Sequence, residues 1–260
     1  MKIAVSGKGG VGKTTLSAMM AAALSLKGRA VVALDADPDA NLAAALGVPP
    51  DRQPVPLAEM KQLIAERTGA KQGSYGGYFK LNPKVDDIPD TYAAHVGTIR
   101  LLALGGVSQG GGGCICPASA LVKALLTHLI LARDESVIMD MEAGIEHLGR
   151  ATAASMDALL LVVNEGPWSI ETALRTRKLA ADLGMSRLLA VVNRMSEKGD
   201  LDPVRRQLDG IRLIGSIPYD PLLAGGVAKT AGDQLEPTEG LRAHLDDIER
   251  ILAALEETAE

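Results

Sequence analysis

The stretch GKGGVGKTT, Gly7–Thr15, follows an aliphatic run, Ile3–Ser6, and opens into KTTLSAMMAAALSL, Lys13–Leu26, rich in the strong helix formers Ala, Leu and Met. It fits G-x-x-x-x-G-K-[ST], with Gly7, Gly12, Lys13 and Thr14 in the fixed places, and it lies between a strand and a helix as that motif requires. The glycines let successive backbone N–H groups line one concave nest for phosphate oxygens. The helix behind adds its positive N-terminal end. Lys13 reaches the β- and γ-phosphates as a point charge, and the Thr14 hydroxyl joins a Mg²⁺ shell. The expected nucleotide set is therefore Gly7, Gly9, Gly10, Val11, Gly12, Lys13, Thr14 and Thr15, with ATP and Mg²⁺ as cofactors. The alternative is a glycine-rich turn with no ligand.

Outward from this loop, short aliphatic runs alternate with longer amphipathic ones. Ile3–Ser6, Val31–Asp35, Ile99–Leu104, Val137–Asp140, Leu159–Val163, Leu188–Val192 and Leu213–Ile214 lack polar alternation, as strands covered on both faces do. Between them, helices are expected over Lys13–Leu26, Leu57–Arg67, Ser119–Ala132, Ile170–Leu183, Pro203–Leu208 and Leu241–Leu255, several ending at a glycine such as Gly28, Gly69 or Gly184. This alternation predicts an α/β fold: a doubly wound, mostly parallel sheet with helices on both faces, of P-loop NTPase type. We read residues 1–260 as a single ATPase domain. The stretch at about 69–98, rich in Gly, Pro and Asp and without a period, reads as a surface insertion.

Composition narrows the function. Apolar residues make up 47% of the chain but aromatics only 2%, so the core must be aliphatic and little is available to stack on bases. The net charge of −5 argues against general attraction to nucleic acid or to an anionic membrane, and neither is expected as a partner. The opening MKIAVSG enters a strand directly, without the pattern of a signal peptide, so a cytoplasmic protein with reduced thiols is expected.

Two strands end in acidic clusters: Val31–Asp35 runs into DADPDAN, and Val137–Asp140 into DMEAG. Parallel sheets bind ligands outside the carboxyl ends of their strands, so both clusters belong on the edge that carries the phosphate loop. Pro38 restricts Asp37 to an extended conformation and so gives its carboxylate a set direction. An ordinary helix N-cap is the alternative for either Asp37 or Asp140.

The second lysine inside the loop, Lys8, makes K-G-G-x-G-K-T. This resembles the deviant phosphate loop of the MinD/ParA/nitrogenase-iron-protein class of NTPases. The resemblance implies that Lys8 reaches across a nucleotide-sandwich dimer to the partner's phosphates. It implies catalytic roles for Lys8, Lys13, Asp37 and Asp140: Asp37 as the switch I carboxylate that orients the attacking water, with Asp35 as its competitor, and Asp140 as the Walker B carboxylate acting on Mg²⁺. Asn41 falls near the Mg²⁺ shell, Gly144 is placed as a switch II glycine, and Asn193 resembles the adenine-reading residue, with IPYD (Ile217–Asp220) wrapping the base.

Five stretches, KIAVSGKGGVGKTT, LDADPDANLAAALG, FKLNPKVDDIPD, CICP and DMEAGIEHLGRAT, together resemble the CooC family, ATPases that help insert nickel into carbon monoxide dehydrogenase. One segment departs from that pattern: VNEGPWSIETA stands where VEPS is expected after the strand. The only two cysteines, Cys114 and Cys116, lie in GGGGCICPAS. Alternate residues of an extended segment face the same way, so both thiols can point at one ion. A soft or borderline metal wants about four ligands. One chain offers two thiols, and a two-fold homodimer makes up the number. Ni²⁺ or Zn²⁺ is the expected occupant, carbon monoxide dehydrogenase the implied client, and His147 the only histidine placed to contribute. A redox dithiol and two inert buried thiols remain alternatives. So, at the level of function, do a ParA/MinD-like positioning switch and an iron–sulfur reductase of the nitrogenase-iron-protein type. Against the first, the polar face of LRAHLDDIERILAALEETAE is mostly acidic; against the second, Cys-Ile-Cys is not that protein's cysteine spacing.

Overall fold

The computed structural model describes residues 1–70, 78–105, 116–131, 134–142, 150–197 and 199–257. The described strands are β1 (Lys2–Gly7), β2 (Val31–Asp35), β3 (Ala94–Val96), β4 (Ile99–Ala103), β5 (Ser136–Asp140), β6 (Ala158–Val163), β7 (Leu188–Met195), β8 (Arg212–Pro218), β9 (Ala228–Ala231) and β10 (Gln234–Pro237). The helices are α1 (Lys13–Leu26), α2 (Leu42–Ala45), α3 (Lys61–Thr68), α4 (Ile88–Thr91), α5 (Pro117–Leu131), α6 (Arg150–Ala154), α7 (Pro167–Asp182), α8 (Leu201–Gln207), α9 (Glu239–Ala243) and α10 (Leu245–Glu257). Eight strands form one sheet in the order β3-β4-β2-β5-β1-β6-β7-β8, parallel throughout except for β3 on β4; β9 and β10 form a separate hairpin.

The alternation of side chains along each strand sorts the core into two layers. Ile3, Val5, Val31, Ala33, Ile138, Leu160 and Val162 pack on one face with α1 and α10; Ala4, Val32, Leu34, Val137, Met139, Leu159 and Leu161 pack on the other with α3, α5 and α7. Each fully buried Val, Leu or Ile contributes about 1.5–3 kcal/mol of burial free energy. The aliphatic core expected from composition is what the sheet contains. α1 is buried on nearly every side, which its Ala-rich, uniformly apolar sequence allows.

The winding fixes the site. β1 lies between β5 and β6, and the chain leaves it first toward β2 and later toward β6. The loop after β1 therefore opens where the winding changes direction, and the ends of β2 and β5 stand beside it. In the register, Asp35 is paired with Asp140.

Several elements differ from expectation. Of the stretch read as a surface insertion, the described part is built into the fold: β3 joins the sheet, and Ile88 and Val96 are fully buried. Local composition hides this because the buried residues are few and set among Gly, Pro and Asp. The helix expected over Leu57–Arg67 is interrupted at Met60, which takes a non-helical ψ of 72° between a 3₁₀ turn, Leu57–Glu59, and α3. The helix expected over Leu241–Leu255 is broken at His244 into α9 and α10. The two-residue strand expected at Leu213–Ile214 is β8, seven residues long.

Candidate nucleotide site

The phosphate loop is shaped by two close approaches. A Cβ at Gly7 would stand 2.3 Å from the Val162 carbonyl oxygen of β6, and one at Gly12 would stand 2.3 Å from Asn193 Nδ2. Gly12 also takes φ 90°, the left-handed conformation open to glycine, as the N-cap of α1. No side chain caps α1 there, so the first N–H groups of the helix are left to a ligand. Lys8, Gly9 and Gly10 are exposed, Val11 and Lys13 are buried, and Thr14 and Thr15 are half-buried. Lys13 is thus held at the mouth with 7% exposure, while the loop before it is open.

Asn193 ends the aliphatic part of β7 at 5% exposure, and its amide donates to the carbonyls of Val11 (2.9 Å) and Gly12 (3.4 Å). These bonds commit the amide hydrogens to the loop, so in this conformation the residue expected to read adenine braces the phosphate cradle. β7 is irregular between Asn193 and Met195, and Arg194 there has φ 57°. Such a bulge re-aims side chains beside a site. Next to it lies a cleft of about 140 Å³ lined by Thr15, Asn193, Arg194, Pro218, Tyr219 and Asp220, among others. Of the IPYD segment expected around the base, Pro218, Tyr219 and Asp220 line this cleft beside Thr15, while Ile217 is buried in the core. Asp220 fixes the wall of that cleft: its Oδ1 accepts the Leu222 N–H at 2.8 Å, and its Oδ2 lies 3.1 Å from His244 Nε2. The other ring nitrogen of His244 lies 3.3 Å from Asp247 on α10.

Two buried carboxylates face this edge. Asp35 is 2% exposed; its oxygens accept the N–H groups of Asp37 (3.2 Å) and Leu42 (2.8 Å). Burial pushes its carboxyl up to about 6, those two N–H bonds pull it back, and the nearby Asp37 charge raises it further. Asp140 is fully buried. Ser17 of α1 donates to its Oδ1 at 3.2 Å, while its Oδ2 has no hydrogen-bond partner among the described residues. Burial pushes Asp140 up to about 7; Asp35 adds to this, and the Thr14 hydroxyl, Lys13 and Ser17 oppose it. A buried carboxylate oxygen with no partner among the described residues, beside the Thr14 hydroxyl, is a donor set that fits a hard divalent cation such as Mg²⁺.

Asp37 is half-buried, and its Oδ1 accepts the Asp39 N–H, at 3.1 Å, in a loop where Ala40 takes φ 45°. Between the two competitors for switch I, Asp35 is thus occupied in holding the loop and Asp37 is the one open to solvent. Asn41 is exposed at the start of α2. Cys116 is half-buried and precedes α5; its sulfur accepts the Ser119 N–H at 3.4 Å and its carbonyl the Ala120 N–H at 3.0 Å, so it caps the helix that Pro117 begins. Cys114, Gly144 and His147 lie outside the described residues.

Sequence reasoning missed three contacts at this edge. Ser17 was detectable as a hydroxyl one turn after Lys13, at the head of the apolar run of α1. The Asp220–His244 pair had no local signal. Neither did the placement of Lys8 Nζ over the ring of Trp168, 6.0 Å from its centroid.

Comparison with known proteins agrees with this geometry. The profile of the CobQ/CobB/MinD/ParA nucleotide binding domain matches residues 2–231. The chain is 47% identical over 222 residues to the carbon monoxide dehydrogenase accessory protein CooC of Rhodospirillum rubrum, covering 85% of this chain and 84% of that one. It is 46% identical over 222 residues to an uncharacterised ATP-binding protein of Methanocaldococcus jannaschii, covering 85% and 86%. Among solved structures, the MinD cell division protein of Aquifex aeolicus superposes with a TM-score of 0.64 at 21% identity over 97% of this chain and 98% of that one. A plasmid partition protein of Borrelia burgdorferi bound to AMPPNP gives 0.64 at 16% identity over 98% of each chain. These last two likenesses are of fold.

Proposed function

Because this chain belongs to the CobQ/CobB/MinD/ParA nucleotide-binding domain family, we propose that it hydrolyses Mg-ATP as a homodimer and couples hydrolysis to nickel insertion into carbon monoxide dehydrogenase. The observation that carries the chemical half is Asp140, buried beside the phosphate loop with one oxygen bound by Ser17 and the other without a partner among the described residues. The 47% identity to CooC supports the biological half.

In this reading the loop N–H groups and Lys13 hold the β- and γ-phosphates, and the base enters the cleft bounded by Arg194 and Tyr219. Magnesium, held by Thr14 and Asp140, would supply charge neutralisation between the phosphate oxygens. Asp37, open to solvent, orients the attacking water. Lys8, exposed at the rim, is the charge offered to a second copy. The metal is cargo: Cys114 and Cys116 of two chains give four thiolates for Ni²⁺ or Zn²⁺. Cys116 sits at the start of α5, and α5 packs on the sheet that carries the nucleotide, so a change of dimer geometry on hydrolysis reaches the thiols through a rigid helix.

The test combines metal analysis with mass in solution, with and without ATP. Nickel shared between two chains should be lost in Cys114→Ala/Cys116→Ala, measured by equilibrium dialysis; undiminished binding in that variant overturns the shared-thiolate site. Lys8→Ala should bind ATP and fail to hydrolyse it. ATP-dependent binding to DNA or liposomes that survives loss of both cysteines would instead favour a positioning switch.

A further inference from the structure

The chain's single tryptophan lies in Asn164–Trp168, the segment that departs from the CooC pattern. We propose that Trp168 is a positioning residue for Lys8, holding the lysine extended at the rim of the site until a partner's phosphates take it over. The inference rests on the reading of Lys8 as a donor in trans.

The Lys8 ammonium stands 6.0 Å from the ring centroid, over the face of the indole, where the ring's quadrupole attracts a cation. The turn before α7 and the helix's first residues, which present the ring, are fastened at several points. Asn164 Oδ1 accepts the Gly166 N–H at 3.0 Å, and Ser169 Oγ accepts the Asn164 N–H at 3.0 Å. Ser169 Oγ also lies 2.9 Å from both the Asn164 and Gly166 carbonyls. The Thr172 hydroxyl donates to the Trp168 carbonyl at 2.9 Å, and Ser169 and Ile170 are buried beneath. This anchoring serves no packing of the ring, which is 68% exposed.

On the other side of the contact the loop is open. Lys8, Gly9 and Gly10 are exposed, and a Cβ at Gly9 or Gly10 would meet nothing within 4 Å, so the backbone that follows does not crowd the lysine. An ordered lysine spares the rotamer entropy that its reach would otherwise cost at the moment of reaction. The chemistry of the holder matters. A carboxylate in place of the indole would neutralise the ammonium and compete with phosphate. An aliphatic side chain would not attract it. An aromatic face attracts the cation without cancelling its charge, so the lysine can be handed on.

Steady-state ATP hydrolysis and the emission of the sole tryptophan test this in the full chain with Mg-ATP. Trp168→Ala should lower kcat about two- to fivefold, the range of an exposed cation–π contact, at unchanged ATP KM, and Trp168→Phe should recover most of the loss. Lys8→Ala should shift Trp168 emission in nucleotide-free protein. A Trp168→Ala enzyme with wild-type kcat, one altered only in KM, a Phe variant as slow as the Ala variant, or emission indifferent to Lys8→Ala each overturns the role given to Trp168. An inert Lys8→Ala beside a wild-type Trp168→Ala removes this inference alone. A Lys8→Ala enzyme that turns over normally removes the trans-lysine reading and this role with it.

Discussion

Asp35 and Asp140 look alike in sequence, each closing an aliphatic strand, and they are register partners on adjacent strands. Their surroundings differ. Asp35 spends both oxygens on backbone N–H groups and so builds the Asp37–Leu42 loop. Asp140 accepts Ser17 on one oxygen, and its other has no partner among the described residues. One carboxylate has a structural task in the chain as it stands. The other bears a desolvation cost that the Thr14 hydroxyl, Lys13 and Ser17 offset in part, and that a proton or a bound cation would relieve further. The cost of burying a charge is thus a sign of function where the charge is unmatched, and of architecture where it is matched.

The sharpest way to break this contrast is Asp140→Asn. It should lower ATP turnover by at least about a thousandfold, the scale of losing a principal electrostatic contact in phosphoryl transfer. Mg²⁺ should cease to tighten ATP binding in titration calorimetry. The same variant should melt higher than the wild type at pH 8 without nucleotide, because a buried charge has been removed. A lower melting temperature would place Asp140 with Asp35 as a structural group.

Asp35→Asn should act in the opposite sense on stability. The Asn amide offers one acceptor where two N–H groups wait, and a buried donor left unmatched costs about 1–3 kcal/mol. Denaturant unfolding should show that loss, with a smaller fall in turnover, about tenfold, as the loop bearing Asp37 loosens.

The smallest effect is in pH. Both carboxyls hold their proton more tightly when folded, with values of about 6 and about 7 against an ordinary 3.8. Between about pH 4 and 7 the folded chain therefore binds more protons than the unfolded one, and stability contributed by these groups falls as pH rises through that window. On the proposed role of Asp140, Mg-ATP takes the place of its proton, so the gain in melting temperature on adding it should be larger at pH 8 than at pH 6. Asp140→Asn should flatten most of that difference, Asp35→Asn less of it; a profile unaffected by either variant would show that neither carboxyl titrates in the window.

The fold was legible where residues carry a period: aliphatic strand runs, the spacing of the phosphate loop and the glycine after α1 depend on neighbours in sequence. β3, the β9–β10 hairpin and the buried Ile88 were not, because three or four residues are too few to show alternation. The site divides the same way. The expectation for Gly7, Gly12, Lys13 and Thr14 came from spacing alone, whereas what separates Asp35 from Asp37, two backbone N–H groups held against one, is visible only in the loop's hydrogen bonds. Ser17 and Asp140 meet across 123 residues, His244 and Asp220 across 24, and no local pattern announces either pair.

On the placement of the base proposed above, His244 gives α10 a stake in the nucleotide. Its ring ties Asp220, in the wall of the base cleft, to Asp247 on α10, whose Ile248, Ile251, Leu252 and Leu255 are buried against the sheet. The cleft wall and α10 should therefore open together in local unfolding. Fraying of α10 unseats the wall. By reciprocity, a nucleotide resting on the wall should slow amide exchange along α10, so that helix would record whether the cleft is filled.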